Sequence, residues 1–564
     1  MKLLQNHGLL VAIFLLNLLQ IYFTELHPDE AYYWVFSQNL AWGYFDHPPM
    51  AALWIKIGYA ILGNEMGVRL LFACAQVVAL KVAYELTNQP KTSTPHIFYA
   101  LALALPLVQT YGFIATPDMP FLLFGILFLA QYKRFLAQNN AKNALVLGFL
   151  MAAMAYSKYH SVVVVICVIA ANPAILRQKY AYLAAATAAV LLVPHIYWQI
   201  VHQFPTLKYH LAQRQSGFNP SFVFGYVFNQ LLVFNPMLVL LFTAYFFGNK
   251  TERTKSDTND VFQKTLLYIS VGFVAFFFIN SFRGKIEPHW TFFANITAVM
   301  FVFIRYLPQI LENVQWASYL KKTLYLSFIL IFAIRLNLVF NIAHQPELAR
   351  LFFTKTAYMN LKTLLKNEQI VFLDSYQNAS KYSFYAQNPA YSLNTQLVRK
   401  NQFDLLNFEN KLKNKPVYIV QEAKGWGLLF GKTTPDAQFK YFFLDSFTIF
   451  PKIGFKKISV GALKMPPFEN KIRIEITNPY DFEVVFSPNF MPNISLWQQK
   501  NALRDVPIAV PIRSIAAHKS VQVWAKLRLF DEIKPEKYNF ALGAKPHATI
   551  AVGNSETNTI EIIK

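Results

Sequence analysis

Between residues 27 and 50 the chain reads His27-Pro28-Asp29-Glu30-Ala31-Tyr32-Tyr33-Trp34, then Gly43-Tyr44-Phe45-Asp46-His47-Pro48-Pro49-Met50. Acids and imidazoles stand here among aromatic side chains of the kind that collect at membrane interfaces. A carboxylate at the end of an apolar segment costs desolvation energy unless it is paired or hydrated. A solvated loop under an aromatic belt is the plainer reading. Paired acids on proline-stiffened backbone fit better a site that positions a nucleophile or a metal. Asp29 and Glu30 are therefore candidate catalytic acids, and Asp46 and His47 candidate metal or substrate ligands.

Three more motifs carry chemistry. Thr116-Pro117-Asp118-Met119-Pro120 puts an acid where two apolar segments meet. It is either a helix N-cap or a third catalytic candidate, Asp118. Ser157-Lys158-Tyr159-His160 and Arg283-Gly284-Lys285-Ile286-Glu287-Pro288-His289-Trp290 supply cations and imidazoles. Lys158, Arg283 and Lys285 are suited to neutralise a lipid phosphate, with Tyr159 and Trp290 at headgroup level; His289 is a further metal or substrate ligand. Snorkelling of Lys and Arg to the interface is the alternative. A divalent metal ion is the one cofactor these residues suggest, and the sequence does not establish it.

The elements that must position these residues are membrane helices. The chain has 564 residues, 55% hydrophobic, 16% aromatic and 15% charged, against roughly 25% charged in soluble proteins. Apolar runs long enough to cross a bilayer are expected at 9–24, 67–86, 96–115, 119–135, 144–157, 161–176, 181–200, 223–247, 265–281, 290–306 and 323–341, about eleven spans. The run at 9–24 reads as a retained first span, because no small-residue cleavage site follows it. Residues 49–62 are expected as an interfacial helix. The net charge of +22 fits anionic lipid headgroups and basic cytoplasmic loops, and no nucleic-acid-binding module is visible.

With the N-terminus inside, every inner loop carries a cation: Lys91; Lys133, Arg134 and Lys142; Arg177 and Lys179; Lys250, Arg253, Lys255 and Lys264; Lys321 and Lys322. Lys158, Lys208, Arg214, Arg283 and Lys285 then lie on the outer side, where a negatively charged ligand would account for them. After about residue 345 the composition becomes that of a soluble region. The fold class is thus a mainly α polytopic bundle with a C-terminal extracytoplasmic α/β plus β-sandwich-like region. The boundaries are 1–345 for the transmembrane domain, with a catalytic first outer loop at 25–66, then 346–465 for an α/β domain and 466–564 for a β-rich one. Alternation at Ile472, Ile474 and Ile476 and at Val521, Val523, Ala525 and Leu527 marks strands in the last segment. Cys74 and Cys167 both sit in apolar runs and frame no disulfide or thiolate metal site.

Taken in order, Asp29-Glu30-Ala31-Tyr32-Tyr33, Tyr44-Phe45-Asp46-His47-Pro48-Pro49, Thr116-Pro117-Asp118, Ser157-Lys158-Tyr159 and Pro288-His289-Trp290 resemble the GT-C class of membrane glycosyltransferases. The likeness is to the protein O-mannosyltransferase-like and lipid A aminoarabinose transferase-like enzymes of glycosyltransferase family 39 and its relatives. It covers roughly residues 1–345. Asp374-Ser375-Tyr376-Gln377-Asn378-Ala379-Ser380 resembles the start of the soluble domain in the aminoarabinose-type enzymes.

The resemblance implies a polyprenyl-phosphate sugar donor and inverting transfer to an envelope acceptor, whether lipid A, protein or glycan, at the non-cytoplasmic face of the inner membrane. It implies Asp29 as catalytic base or acceptor-positioning acid, and Asp46 at a place where some members hold a divalent metal. His47 departs from the lysine found there in aminoarabinose-type enzymes. Two other classes compete: a secondary transporter, which ordinarily shows repeated halves, and a noncatalytic scaffold with an outer carbohydrate-binding domain.

Overall fold

The computed structural model describes residues 2–564 except 88–94, 211–216, 249–259, 396–397, 425–430, 488–489, 499–503, 547–551 and 553–554. Lys91, Arg214, Lys250, Arg253 and Lys255 lie outside the described residues. The chain divides into two compact units, Met1–Thr354 and Lys355–Lys564.

The first unit is helical. Helix α1 (Lys2–Phe23) ends before His27-Pro28, and α2 (Pro28–Gln38) turns 87° away from it. Much of the expected first loop is therefore helix. Pro28 supplies the fixed φ suited to a first helical position, and His27 with Glu30 closes a reciprocal capping box. Pro49 leads into α3 (Met50–Leu62), which packs on α4 (Glu65–Leu86). That packing is close enough to require glycine, since a Cβ on Gly58 would lie 2.2 Å from the Gly67 carbonyl oxygen.

Prolines also break two expected spans. Residues 96–115 form α5 (Pro95–Leu103) and α6 (Pro106–Thr110). Residues 223–247 form α12 (Pro220–Val233) and α13 (Pro236–Gly248), bent by 86° where Asn235 takes φ 62° before Pro236. Between these lie α7 (Asp118–Ala137), α8 (Ala141–Ser157), α9 (Ser161–Ala171), α10 (Lys179–Val201) and α11 (Pro205–Lys208). The unit closes with α14 (Val261–Ser281), α15 (Phe292–Arg305), α16 (Leu307–Glu312), α17 (Val314–Phe340) and α18 (Pro346–Phe352).

Five of these helices are long and apolar enough to cross a membrane, or up to seven with each bent pair as one span, among the described residues. The count of about eleven is not reached, because proline breaks and short helices such as α9 divide the apolar runs. Val190, Ile279 and Ile329 on the outer faces are 69%, 66% and 65% exposed. Apolar side chains turned outward on this scale identify a bundle whose solvent is lipid.

The second unit begins with a five-stranded sheet in the spatial order Ala390–Leu393, Ile370–Leu373, Val417–Glu422, Phe439–Leu444 and Lys432–Thr433. Its first three strands are parallel, with the helix Tyr376–Ala386 as crossover. A second five-stranded sheet, centred on Phe490–Trp497 and Lys537–Pro546, and a three-stranded sheet of Ser520–Leu527, Asn470–Thr477 and Gly454–Ser459 follow. Ile472, Ile474 and Val523 from the latter share one buried core with Ile494, Leu496, Phe540 and Leu542 from the former. Val371, Leu373 and Val417 of the first sheet join the same core.

Candidate active site

The neighbours Asp29 and Glu30 have opposite surroundings. Glu30 is fully buried against Arg69 of α4, whose Nε and Nη2 donate to Oε1 and Oε2 at 2.7 and 2.6 Å. The same guanidinium donates to the carbonyls of Thr24 at 2.7 Å and Glu25 at 2.8 Å. Glu30 accepts in addition from His27 N at 2.8 Å and from Ala115 N at 2.7 Å. One ion pair therefore ties together the end of α1, the start of α2, α4 and the segment that leads to Asp118. Arg69 was not singled out in the sequence, although a cation near the start of an apolar run is itself a signal that could have found it.

Asp29 is one residue earlier in the first turn of α2, and its side chain is 40% exposed. Its Oδ2 lies 3.7 Å from His27 Nδ1. That nitrogen already accepts from Asp29 N at 3.2 Å, so it has no proton to offer the carboxylate. Asp29 thus keeps a part-exposed carboxylate that receives no hydrogen bond from His27 Nδ1. Asp46 is buried, and His47 Nε2 meets the Tyr33 hydroxyl at 3.1 Å.

Asp118 is not an N-cap. Pro117 occupies that position, and the Asp118 carboxylate meets Lys158 Nζ at 2.5 Å, both side chains buried. Lys158 stands where α8 ends, with its N–H donating to the Met154 carbonyl at 2.9 Å. The chain can turn into α9 there because Lys158 is extended, at φ −157°.

Asp29, Asp118 and Glu287 all lie close enough to Tyr111 for their charges to act on its hydroxyl. The ring of His289 packs edge-on against that of Tyr111, with centroids 6.0 Å apart. Desolvation pushes the His289 imidazole down to about 4, against the opposing pull of the Asp118 carboxylate. His289 is therefore neutral near pH 7, a hydrogen-bonding group rather than a cation. Arg283 and Lys285 are exposed, and Lys285 Nζ lies 4.0 Å from Glu287 Oε1.

Tyr159 belongs to a separate network. Its hydroxyl lies 3.1 Å from His195 Nε2 and accepts from Gln199 Nε2 at 3.1 Å. His195 Nδ1 faces the Trp42 carbonyl at 2.6 Å, which can only accept, so Nδ1 carries the proton and Nε2 accepts from Tyr159. Thr206 donates to the Tyr44 carbonyl at 3.1 Å. Tyr159 thereby braces the segment carrying Asp46 and His47 against α10 and α11. His195, Gln199 and Thr206 were not singled out in the sequence, where they read as isolated polar residues in apolar or loop context.

The structure brings Asp29, Asp118, Lys158 and His289 into one neighbourhood around Tyr111. Among the described residues no three His, Cys, Asp or Glu side chains converge as a metal site. The divalent ion suggested for Asp46, His47 and His289 thus finds no ready ligand set among those residues.

Residues 46–198 match the family model of dolichyl-phosphate-mannose-protein mannosyltransferases. A lipid A galacturonosyltransferase, RgtD of Rhizobium johnstonii, is 25% identical over 300 residues, covering 50% of this chain and 61% of the relative. The match thus spans less than two thirds of that relative's length. Crystal structures of ArnT from Cupriavidus metallidurans, apo and bound to undecaprenyl phosphate, align with TM-scores of 0.53 and 0.51 at 15% and 14% identity. Each alignment covers 77% of this chain and 97% of ArnT. Likeness at that identity speaks for the fold, while function rests with the site. In its matched segment, its curated relative and its fold, this chain is similar to membrane glycosyltransferases of the GT-C class.

Proposed function

We propose that the chain transfers a sugar from a polyprenyl-phosphate-linked donor to an envelope acceptor at the non-cytoplasmic face of the inner membrane. The observation that carries this reading is that the part-exposed carboxylate of Asp29 and the buried Asp118–Lys158 pair all act electrostatically on one imidazole, His289. The acceptor hydroxyl attacks the anomeric carbon of the donor, its proton passes to Asp29, and the bond from that carbon to the phosphate oxygen breaks. The departing lipid phosphate gains negative charge, which Lys158 stabilises at close range and Arg283 and Lys285 meet from the exposed side. Glu30 is a positioning residue in this reading, since Arg69 and two backbone amides already engage its oxygens. Tyr159 positions rather than binds phosphate.

The acceptor is read as a lipid A-type glycolipid ahead of a protein hydroxyl or a growing glycan. Support comes from the relative named for lipid A, and the undecaprenyl phosphate bound in ArnT supports the donor class. The same reading carries eleven spans, a cytoplasmic N-terminus, an outer C-terminal region and the division of that region at 465/466. A reporter fused at Asn410 should be active only outside the cytoplasm; activity inside would remove the proposed topology.

Asp29→Asn is the decisive experiment. The substitution keeps size and removes the proton acceptor, so transfer from a lipid-linked donor should fall by about 10²–10⁴-fold with the protein still folded in detergent. Turnover near wild type would take Asp29 out of the reaction.

A further inference from the structure

The three-stranded sheet of the second unit carries a tryptophan on a face where water alone would ask for none. Along Ser520–Leu527, Val523, Ala525 and Leu527 are buried, while Gln522, Trp524 and Lys526 are exposed between them. Pairing with Asn470–Thr477 sets Trp524 opposite Arg473, Gln522 opposite Glu475 and Lys526 opposite Lys471. Period-two alternation puts all six on the outward side.

Trp524 is 56% exposed. The solvated face of an antiparallel sheet is ordinarily polar, and an indole left there forgoes a large burial gain. Trp is enriched at contact surfaces, where its ring offers an apolar face and a polar N–H. Its neighbours say what kind. Arg473 Nη2 donates to Gln522 Oε1 at 3.1 Å, which fixes the guanidinium beside the indole while its other N–H groups can serve a ligand. Lys471 and Lys526 extend the positive charge along the face, Lys526 with Glu469 2.9 Å away.

We infer that this face binds an anionic saccharide. A pyranose lays its apolar C–H face on the Trp524 ring. Its hydroxyls hydrogen-bond to Gln522 and Glu475, and its phosphate or carboxylate groups pair with Arg473 and Lys471. A protein partner would want further apolar anchors around the tryptophan, and a lipid surface a protruding apolar segment. Here the neighbours on the face are hydrogen-bonding groups. The inference does not depend on glycosyl transfer, and it is read by binding alone.

The test uses the full-length protein in a polyoxyethylene detergent, with immobilised dextran sulfate, unsulfated dextran and polyphosphate as probes. Dextran sulfate should bind more tightly than either of the others. Trp524→Ala should weaken it about fivefold or more, and Arg473→Gln should erase the preference over dextran. Lys534→Ala with Lys537→Ala, which removes exposed charge elsewhere on the unit, should leave binding unchanged. If Trp524→Ala unfolds the unit, Arg473→Gln and Gln522→Ala test the same face. Equal loss in the Lys534/Lys537 variant would reduce the effect to plain charge and overturn the proposal. So would unaltered binding in the face variants, or a Trp524-dependent attachment only to phosphatidylglycerol vesicles.

Discussion

Two buried ion pairs in the helical unit are built differently. Arg69 grips Glu30 through two nitrogens and also donates to the carbonyls of Thr24 and Glu25, with both side chains at zero exposure. Lys158 meets Asp118 Oδ1 at the break between two helices, and both act with Asp29 on His289. A planar fork held on several sides is scaffold; a point charge on a flexible stem can be shared with a ligand that comes and goes. The difference lies in the cation: a bidentate guanidinium that also holds two carbonyls fixes Glu30, whereas a single ammonium at a helix break meets Asp118.

The sharpest way to break that distinction is at Arg69. Arg69→Leu strands Glu30 and frees two helix-end carbonyls, a loss of about 3–5 kcal/mol for a buried pair deprived of one partner. The protein should yield little folded material, read by monodisperse recovery in detergent. Glu30→Gln keeps the shape and some of the hydrogen bonds. It should stay folded and lower kcat more than it raises KM, through displaced Asp29 and Asp118. A variant lacking Arg69 with wild-type yield and turnover would mean that the pair holds nothing.

Next in size is Lys158. Lys158→Ala should cut turnover with a lipid-linked donor by about a hundredfold, the scale of losing one group that stabilises developing charge. Lys142→Ala, an exposed cation on the same helix α8, should leave turnover unchanged. Equal turnover in the two variants would make the Asp118–Lys158 pair as structural as the Glu30–Arg69 pair.

Much of this site was legible in the sequence because charge in an apolar run is costly and therefore conspicuous. Asp29, Glu30, Asp118 and Lys158 stood out for that reason, and so did the alternating strands around Ile474 and Val523. What could not be read was partnership. The sequence treats Asp29 and Glu30 as equals; only the fold shows Arg69, placed 39 residues on, facing one and not the other. Tyr159 read as a headgroup aromatic, whereas its hydroxyl belongs to His195 and Gln199 from another helix. The breaks within 96–115 and 223–247 were not visible because summed hydropathy hides a single proline, which ends a helix by removing one donor and crowding the preceding turn.

A half-buried acid of the second unit extends the comparison to a carboxylate held by neutral groups. Asp374, after the strand Ile370–Leu373, accepts from Thr395 N at 2.7 Å and Thr395 Oγ1 at 2.9 Å. Burial pushes its carboxyl up to about 6, more than the Thr395 hydrogen bonds pull it down. A raised folded value means that the native state holds its proton more tightly than the unfolded chain does. The resulting stability is full below the unfolded value near 4 and is lost as pH rises through 6. At pH 7.5 the wild-type unit therefore bears an ionised, half-buried acid. Asp374→Asn keeps the shape and carries no charge, so it should gain on the order of 3 kcal/mol there, about a third of that at pH 4.5, and nothing at pH 3. Hydrogen exchange at residues 370–373 reads this, with the two proteins compared at the same pH so that intrinsic exchange rates cancel. Greater protection in the variant at pH 7.5, absent at pH 3, is the expected result. Equal protection at both values would mean that Asp374 is as well supported by Thr395 as Glu30 is by Arg69.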